Sequence, residues 1–387
     1  MIIGVPVEFY PHERRVALVP AVVPVLTKVG MKVLVEHGAG ERAGFADSAY
    51  EEQGAGIAPD RAQLFSEADV LVRMHRLVAN PAGHADLEFF RSGQVVTGLL
   101  DPLGAPESIR ELAEKGVTAF ALELLPRISR AQSMDALSSM ATIAGYKAIL
   151  LAANLLKKMF PMMITAAGTI SPSRVFVIGA GVAGLQAIAT AHRLGAVVQA
   201  YDIRPAVKEQ VESLGAKFVE LPLETQEAAT AGGYAKAMDE NFYRRQREMM
   251  TKVLAESDVV ITTAAVPGKK APVLITQEMV RGMRSGSVIV DLAAETGGNC
   301  ELTRPGETAE AHGVSILGPV NLPSTIPYHA SQMYARNIAS FLQLLVKDGK
   351  FHLDLEDQVI RETLLTHNKE VVNPLVRELL GFSSAAS

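Results

Sequence analysis

One stretch of the sequence, residues 174–204, constrains the fold more than any other. It opens with the apolar run Val175–Ile178, which is typical of a buried parallel strand. Gly179, Gly181 and Gly184 follow in a G-x-G-x-x-G pattern that leads directly into an apolar helix. A second apolar run and an acidic residue complete the segment. Strand, glycine turn, helix, strand and acid in this order predict a βαβ unit with a dinucleotide site.

Each glycine of the turn has a separate physical role. Gly179 permits the tight turn after the strand, and Gly181 lets a pyrophosphate approach the backbone. Gly184 lets the helix pack close to the strand. The helix N-terminus offers unpaired N–H groups and the positive end of its dipole to the phosphates. A glycine triplet by itself often forms only a turn, so the prediction depends on the full order of elements.

The acid at the end of the second strand, Asp202, indicates which dinucleotide binds. Its carboxylate is placed to accept hydrogen bonds from the adenosine ribose hydroxyls. A carboxylate close to the 2′-phosphate of NADP would cost roughly 1–4 kcal/mol near a protein surface. Arg204 argues for the opposite preference, because a nearby arginine accommodates a 2′-phosphate. Because the acid stands at the strand end itself, we predict NAD(H).

The composition is that of an ordinary globular protein. The chain has 387 residues, enough for two or three domains, with 48% hydrophobic residues and a formal net charge of −5. There is no basic surplus, so no nucleic acid partner is predicted. The single cysteine, Cys300, excludes an internal disulfide framework and suits a reducing cytoplasm. The N-terminal residues do not have the pattern of a secretion signal, and no metal site is predicted.

No stretch of eighteen or more residues is expected to span a bilayer. The nearest candidate, residues 148–170, is interrupted by Lys157, Lys158 and Pro161. Any membrane association is therefore expected to come through a partner.

Strand and helix signals alternate along roughly the first third of the chain, which predicts parallel βαβ architecture without a glycine fingerprint. The expected fold class is α/β, with two Rossmann-like, doubly wound parallel-sheet domains and a cleft between them. The predicted parts are an N-terminal Rossmann-like domain at 1–137 with returning C-terminal helices at 329–387, a linking long helix at 138–164, and an NAD(H)-binding Rossmann domain at 165–328.

The local patterns predict individual elements. Apolar runs predict strands at Ile2–Pro6, Lys32–Glu36, Val70–Arg73, Val95–Leu99, Val117–Ala121, Val197–Tyr201, Val259–Thr263 and Val288–Asp291. Helical patterns predict helices at Pro20–Val29, Arg61–Phe65, Pro106–Glu114, Thr276–Met283 and Ser331–Lys347.

The junction at 127–138 is unusually polar for so apolar a chain and leads into a long helix that ends near Lys158. One interpretation is a solvated loop in which Ser133 or Asp135 caps the helix. The other is a wall that faces the nicotinamide, because ligands favour the crevice between two α/β domains. Spacing alone does not distinguish the two.

A second unusual segment, about 220–247, is longer than a usual connection and contains Gly232, Gly233 and Tyr234. Long loops in compact domains are commonly lids or disordered segments. A Gly-Gly hinge beside an aromatic residue favours a mobile lid that closes over a bound cofactor. The alternative is a flexible surface loop.

Five motifs together resemble one family. They are E-R-R-V-A-L-V-P at 13–20, R-I-S-R-A-Q-S-M-D-A-L-S-S at 127–139, V-I-G-A-G-V-A-G-L-Q-A at 177–187, G-G-Y-A-K at 232–236 and P-G-K-K-A-P at 267–272. Over nearly its whole length the chain resembles the NAD(H)-binding component, domain I, of proton-translocating NAD(P) transhydrogenases. The motif at 127–139 and the G-G-Y loop are specific to that family. The other motifs are shared with the related alanine dehydrogenases.

The resemblance implies a set of site residues. The positions that match the family's catalytic, nicotinamide-side residues are Arg127, Gln132, Asp135 and Ser138, with Tyr234 on the mobile loop. The full set predicted to contact NAD(H) is Arg127, Ile128, Ser129, Gln132, Ser133, Met134, Asp135, Ser138, Gly179, Ala180, Gly181, Val182, Gly184, Asp202, Ile203, Arg204, Gly233, Tyr234, Gln246, Ala264 and Ala265.

The resemblance also implies an activity and partners. The chain would be an alpha-1 subunit that binds NAD(H) and passes a hydride to NADP⁺ on a partner's NADP(H)-binding domain III, in a Re/Si-specific transfer. A membrane-spanning domain II would couple the transfer to proton translocation. The subunit itself would be a cytoplasmic homodimer, peripheral on the inner face of the plasma membrane, with little activity alone.

Alanine dehydrogenase, an NAD-dependent enzyme, is the first alternative. Reduction of an imine or carbonyl needs a proton donor as well as a hydride, and that family uses Arg, Lys and His in its site. Arg15 matches the Arg, but the segment of the Lys reads Arg73-Met74-His75-Arg76 and the segment of the His, 96–102, has no histidine. His75 could replace the lysine, although a surface histidine beside two arginines is the favoured interpretation.

The chemistry of a transhydrogenase makes fewer demands. Transfer between two nicotinamide rings moves no proton at the reacting carbons and needs only the two C4 atoms held roughly 3–3.5 Å apart in a dry site. A third interpretation is a non-catalytic protein that binds or senses NAD(H). It predicts tight binding without hydride transfer.

Overall fold

The computed structural model describes residues 1–75, 84–220, 240–265, 268–347 and 349–382. The chain divides into two compact units. The first contains Met1–Met140 and Pro323–Ser387, and the second contains Ala141–Leu322.

The strands of the described residues are numbered in chain order. They are β1 Ile2–Val5, β2 Lys32–Glu36, β3 Gly56–Ala58, β4 Val70–Arg73, β5 Val95–Gly98, β6 Thr118–Ala121, β7 Met163–Thr165, β8 Gly168–Ile170, β9 Arg174–Ile178, β10 Val197–Tyr201, β11 Lys217–Phe218, β12 Val259–Thr262, β13 Val288–Asp291, β14 Thr308–Ala311, β15 Val314–Leu317, β16 Val346–Lys347, β17 Lys350–Phe351, β18 Leu364–His367 and β19 Glu370–Val371.

The α-helices of the described residues lie mainly between these strands. They are Val23–Thr27, Asp47–Glu52, Arg61–Glu67, Asp86–Phe89, Pro106–Glu114, Ala136–Leu155, Val182–Arg193, Lys208–Ser213, Glu240–Glu256, Gln277–Arg281, Pro327–Leu344, Gln358–Thr363 and Pro374–Leu379.

The first unit is built on an eight-stranded sheet in the order β19-β18-β6-β5-β4-β1-β2-β3. The six strands from β1 to β6 pair in parallel, and β18 and β19 add an antiparallel edge. The order reverses between β1 and β4, as in a doubly wound fold. Strands β4, β5 and β6 are buried along their whole length, which explains why their sequences are mostly apolar.

The second unit repeats this plan. Its seven-stranded sheet has the order β11-β10-β9-β12-β13-β15-β14, and only the β14–β15 pair is antiparallel. The order reverses between β9 and β12, so the glycine turn after β9 lies at the point where ligands bind in such sheets. The predicted α/β class with two doubly wound, mainly parallel sheets is confirmed.

Several predicted elements differ from the observed ones. The predicted helix Pro20–Val29 is a 3-10 turn at Pro20–Val22 followed by the short helix Val23–Thr27, which has Pro24 in its first turn. The helix predicted at Ser331–Lys347 begins earlier, with Pro327 in its first turn, and ends at Leu344.

The predicted loop at 220–247 is wrong at its C-terminal end. Residues from 240 onward belong to the helix Glu240–Glu256, which buries Gln246, Met250 and Leu254 against the second unit. These residues recur every four positions, which is a helical spacing that the many charges of the segment obscured. Residues 221–239 of that loop lie outside the described part of the chain.

The expectation about membrane spans also needs correction. Among the described residues, the helix Ala136–Leu155 is long and apolar enough to cross a bilayer by length and composition. The sequence pattern placed the nearest candidate later in the chain, at 148–170. One such helix is weak evidence, because the core helix of a soluble protein passes the same test. Ala148, Ile149 and Ala152 of this helix are fully buried in the core of the second unit.

Candidate nucleotide site

The glycine turn of the second unit has the conformation that its sequence predicts. Gly179 follows β9 with a φ of +97°, which favours glycine, and a Cβ there would lie 2.5 Å from the hydroxyl of Thr263. A Cβ on Gly184 would lie 1.8 Å from the carbonyl oxygen of Gly179. These two glycines are therefore required by the packing of strand against helix.

No contact among the described residues requires a glycine at position 181. It is the N-cap of the helix Val182–Arg193, in an extended conformation that any residue adopts, and no side chain of the described residues caps the helix there. The nearest atom to an added Cβ would be Nη2 of Arg204, 3.9 Å away. The turn thus leaves a space bordered by the Arg204 guanidinium in front of uncapped helix N–H groups, which is the arrangement that receives a phosphate group. Val182, the first helical residue, is 42% exposed beside this space.

Asp202, directly after β10, ties the turn to the next strand. Its Oδ2 accepts a hydrogen bond from the Ala180 amide at 2.8 Å. Arg204 donates to the same carboxylate from its backbone amide, Nε and Nη2 at 2.7–2.8 Å. The hydrogen bond to Asp202 raises the pKa of the Arg204 guanidinium above its ordinary value. A ribose hydroxyl that binds Asp202 must therefore exchange with one of these donors. Ile203, between the two, packs against the core of the sheet.

The wall predicted at Ala264 and Ala265 follows β12. Thr263 donates its hydroxyl to the Gly179 carbonyl at 2.9 Å, which places this strand end against the glycine turn. Ala264 is held by a residue that the sequence interpretation missed. Asn299 accepts the Ala264 amide at 3.0 Å and donates to the Ala264 carbonyl at 2.8 Å. Ala265 is exposed.

In the first unit, Asp135 organises the polar junction. Its Oδ1 accepts the Ser138 amide at 2.9 Å, so Asp135 caps the helix Ala136–Leu155. Its Oδ2 accepts the Ser138 hydroxyl at 2.6 Å and also pairs with Arg127, whose side chain is 36% exposed. Of the two capping candidates the structure selects Asp135. The cap also assembles three predicted site residues into one hydrogen-bonded group.

The rest of the junction is a 3-10 segment, Ser129–Met134. Gln132, Ser133 and Ser129 are exposed, Ile128 is half-buried, and Met134 is buried at 5% exposure. The Asn337 side chain, on the helix Pro327–Leu344, donates a hydrogen bond to the Ser133 carbonyl at 2.8 Å and so attaches the 3-10 segment to that helix.

Arg130, in the same segment, was not singled out from the sequence. It forms two hydrogen bonds of 2.6 and 2.8 Å with Asp357, which caps the helix Gln358–Thr363. The signal for this contact was weak, because Arg130 and Asp357 lie 227 positions apart.

Of the three contacts predicted on the loop at 220–247, the structure describes one. Gln246 lies on the helix Glu240–Glu256, is 1% exposed and faces the Tyr201 hydroxyl. Gly233 and Tyr234 lie outside the described residues.

His75 differs from the interpretation favoured for it. It is not a freely solvated surface residue, because its side chain is only 22% exposed. Its ring stacks on Tyr10 with the ring centres 4.1 Å apart, and its Nε2 forms a hydrogen bond of 2.5 Å with the Glu13 carboxylate. The Glu13 carboxylate also accepts hydrogen bonds from Nε and Nη2 of Arg15, at 2.8 and 2.6 Å. Burial alone would raise the pKa of the Glu13 carboxyl, but the contacts with Arg15 and His75 outweigh it and hold that pKa well below its usual range.

Two doubly wound sheets, with a glycine turn at the point where the second sheet reverses its strand order, define a Rossmann-type α/β protein. The chain belongs to the alanine dehydrogenase/PNT family, because the N-terminal domain model of that family matches residues 4–144 and the C-terminal domain model matches residues 148–374.

Individual relatives are similar over nearly their whole lengths. The chain is 48% identical to the first portion of the NAD(P) transhydrogenase subunit alpha of Rhodospirillum rubrum, over 97% of this chain and 98% of that one. The crystal structure of transhydrogenase from Sinorhizobium meliloti superimposes with a TM-score of 0.83 at 42% identity, covering 97% of this chain and 99% of that one. An L-alanine dehydrogenase structure superimposes with a TM-score of 0.80 at 26% identity, covering 98% and 99% of the two chains.

Proposed function

We propose that this chain is the NAD(H)-binding subunit of a proton-translocating NAD(P) transhydrogenase. The observation that carries the proposal is the hydrogen-bonded group of Arg127, Asp135 and Ser138. It lies in the motif that resembles transhydrogenases specifically, in a chain whose near full-length relatives include a transhydrogenase alpha subunit.

The second unit would hold the pyrophosphate and adenosine of NAD(H). The space in front of Gly181 would receive the pyrophosphate, and the N–H groups at the start of the helix Val182–Arg193 would donate to it. Asp202 would accept from the ribose hydroxyls in exchange for part of its contact with Arg204. That exchange would leave the Arg204 guanidinium near the ribose, where it would reduce the preference for NAD over NADP.

The polar junction would orient the nicotinamide. Asp135 fixes the Arg127 guanidinium and the Ser138 hydroxyl, and Arg127 and Gln132 would then bind the carboxamide. When bound, NADH supplies the hydride, and NADP⁺ on a partner subunit accepts it. Orientation without proton transfer suffices for that chemistry. The loop with Tyr234 would close over the nucleotide.

The contacts of Arg15 favour this activity over the alanine dehydrogenase alternative. In that alternative Arg15 would hold the substrate carboxylate, yet two of its nitrogens bond Glu13 and a third lies 3.1 Å from the sulfur of Met140. The Arg15 residue is 4% exposed. An incoming carboxylate would have to displace a buried internal carboxylate, and breaking a buried ion pair is costly.

The proposal includes partners and a location. The subunit would be a homodimer that docks an NADP(H)-binding subunit and a membrane-spanning subunit, which couples hydride transfer to proton translocation. It would be cytoplasmic and peripheral on the inner face of the plasma membrane.

The deciding experiment combines the purified protein with NADH, a purified NADP(H)-binding domain of a transhydrogenase and the thio analogue of NADP⁺. We expect reduction of the analogue that requires both proteins, and negligible reduction with either alone. The same protein is tested in parallel with NADH, pyruvate and ammonium. Oxidation of NADH in that mixture would make the chain an alanine dehydrogenase. Tight NADH binding without transfer in either mixture would support a non-catalytic binding protein.

A further inference from the structure

The motif P-G-K-K-A-P at 267–272 has no role in the proposed function. In the second unit, described residues at and near this motif form hydrogen bonds with one buried residue, Asn299. Asn299 has no exposed surface, and its side chain makes three hydrogen bonds to backbone groups. Two go to Ala264, as donor and acceptor, and the third goes from Nδ2 to the Pro272 carbonyl at 2.9 Å. Asn299 thus holds a residue shortly before the motif and the residue that ends it.

The backbone of Asn299 holds the chain just after the motif. The amides of Leu274 and Ile275 both donate to its carbonyl, at 2.8 and 2.9 Å. The Ala271 amide donates to the carbonyl of Thr296 at 2.9 Å, so 271–275 runs alongside 296–301. The segment from Ala264 to Ile275 is therefore fixed at both of its ends.

Asn299 is itself fixed by Asp291, at the end of β13. The buried Asp291 carboxylate accepts the amides of Asn299 and Cys300 at 2.7 and 3.0 Å. It also accepts the hydroxyls of Thr262 and Thr303 at 2.8 and 2.6 Å. Since Thr262 ends β12 and pairs with Asp291 across the sheet, one carboxylate ties two strand ends to Asn299.

These bonds continue to the glycine turn. Ala264 follows Thr263, whose hydroxyl donates to the Gly179 carbonyl. A Cβ on Gly179 would lie 3.4 Å from the Ala264 nitrogen. A shift of Ala264 therefore changes the wall directly beside the turn. We propose that Asn299 is a positioning residue for the nucleotide site, which holds the Ala264 wall against the glycine turn without touching the nucleotide.

This inference rests on the proposed nucleotide site and deepens it. Asn299→Ala removes the partners of the Ala264 N–H and C=O. We expect roughly a three- to tenfold increase in the NADH dissociation constant, the range that corresponds to loss of an ordinary hydrogen bond. The constant is measured by calorimetric titration of the full chain.

Thr303→Val is the matched control. It removes one hydrogen bond from the same Asp291 carboxylate but leaves all contacts of Asn299 with Ala264 in place. We expect a smaller loss of thermal stability than in Asn299→Ala, because one hydrogen bond is lost instead of three, and an unchanged dissociation constant. Equal weakening of NADH binding by the two variants would show that the network contributes only general stability, and would overturn the inference.

Amide hydrogen exchange supplies a reading at single residues. The Ala264 amide is bonded to the Asn299 side chain, whereas the neighbouring Thr263 amide is bonded to the Ile178 carbonyl at 2.9 Å. In Asn299→Ala we expect faster exchange at Ala264 and unchanged exchange at Thr263.

If Asn299→Ala does not fold, Asn299→Asp replaces it, because its carboxylate still accepts a hydrogen bond from the Ala264 amide. For this variant we expect weaker NADH binding with slow exchange at Ala264. Wild-type affinity in the folded variant overturns the inference, whereas failure of the wild-type protein to bind NADH overturns the proposed site itself.

Discussion

At the scale of single residues, one half-buried carboxyl outside the proposed site should contribute to the pH dependence of stability. Glu123 lies just after β6, with Oε1 accepting the Asp101 amide at 2.6 Å and Oε2 buried without a hydrogen-bond partner among the described residues. Burial raises the pKa of Glu123 to about 7, against an ordinary value of 4.5. The carboxyl is therefore protonated in the folded protein at a pH where the unfolded chain has released the proton.

The sign of the effect follows from this difference. Because the folded protein binds the extra proton, the contribution of Glu123 to the free energy of unfolding falls as the pH rises from about 4.5 to about 7, and is constant at higher pH. Glu123→Gln keeps the shape and the Asp101 contact but cannot ionise. We expect the variant to gain roughly 1–3 kcal/mol over the wild type between pH 5 and pH 8.

Urea unfolding of both proteins across this pH range measures the difference. Glu107→Gln is the control, because the Glu107 side chain is 63% exposed on the helix Pro106–Glu114. Parallel pH profiles for wild type and Glu123→Gln would contradict the assignment of the raised pKa.

At the scale of elements, the glycine turn offers a pair of variants with opposite expected effects. Gly181→Ala places a methyl group at an ordinary contact distance, 3.9 Å, from Nη2 of Arg204, in a backbone conformation that alanine adopts, so the melting temperature should stay nearly unchanged. NADH binding should weaken by at least roughly tenfold, because the methyl group occupies the path of the pyrophosphate. Gly184→Ala should instead lower the melting temperature strongly, since its Cβ would clash with the Gly179 carbonyl.

Calorimetric titration with NADH and thermal unfolding, run on both variants, separate the two roles. If Gly181→Ala bound NADH like the wild type, the turn would not be the pyrophosphate site. If Gly184→Ala kept the wild-type melting temperature, the close approach of strand and helix would not be required.

The sequence predicts elements well where one local pattern determines them. The apolar runs within β4, β9, β12 and β13 and the glycine turn have short-range causes, namely burial on both faces and a φ of +97° at Gly179. Helix ends were less predictable, as at Pro20–Val22 and Pro327, where proline changes the start of the helix.

Contacts between distant segments were not predictable from local patterns. Asn299 reaches Ala264 across 35 positions, and Arg130 reaches Asp357 across 227. Neither residue has a local pattern that names its partner, because each contact arises only when the sheet or the returning helices are assembled. The site residues on one short segment, such as Arg127, Asp135 and Ser138, could be proposed as a set. The residues that support them could not.

At the scale of the whole molecule, one element has the exposed apolar surface expected of a contact between chains. The hairpin of β7 and β8, missed in the sequence interpretation, is exposed on both faces along both strands. A two-stranded hairpin is marginally stable at best by itself in water. Ile164 is 81% exposed and Met162 is 59% exposed, and residues 159–173 contain no charge. An uncharged, apolar hairpin of this kind is typical of a surface that another chain covers.

The proposed homodimer provides the covering chain. We expect the wild type to sediment as a dimer and the double variant Met162→Lys with Ile164→Lys as a monomer, because two cations on each copy would be desolvated and brought close in the interface. Leu355→Lys is the control for adding a cation at an exposed apolar position, since Leu355 is 49% exposed outside the hairpin. It should remain a dimer. Analytical ultracentrifugation over a range of concentrations measures the oligomeric state of all three proteins. A dimeric double variant would show that the hairpin is not in the interface. A monomeric wild type would contradict the proposed homodimer.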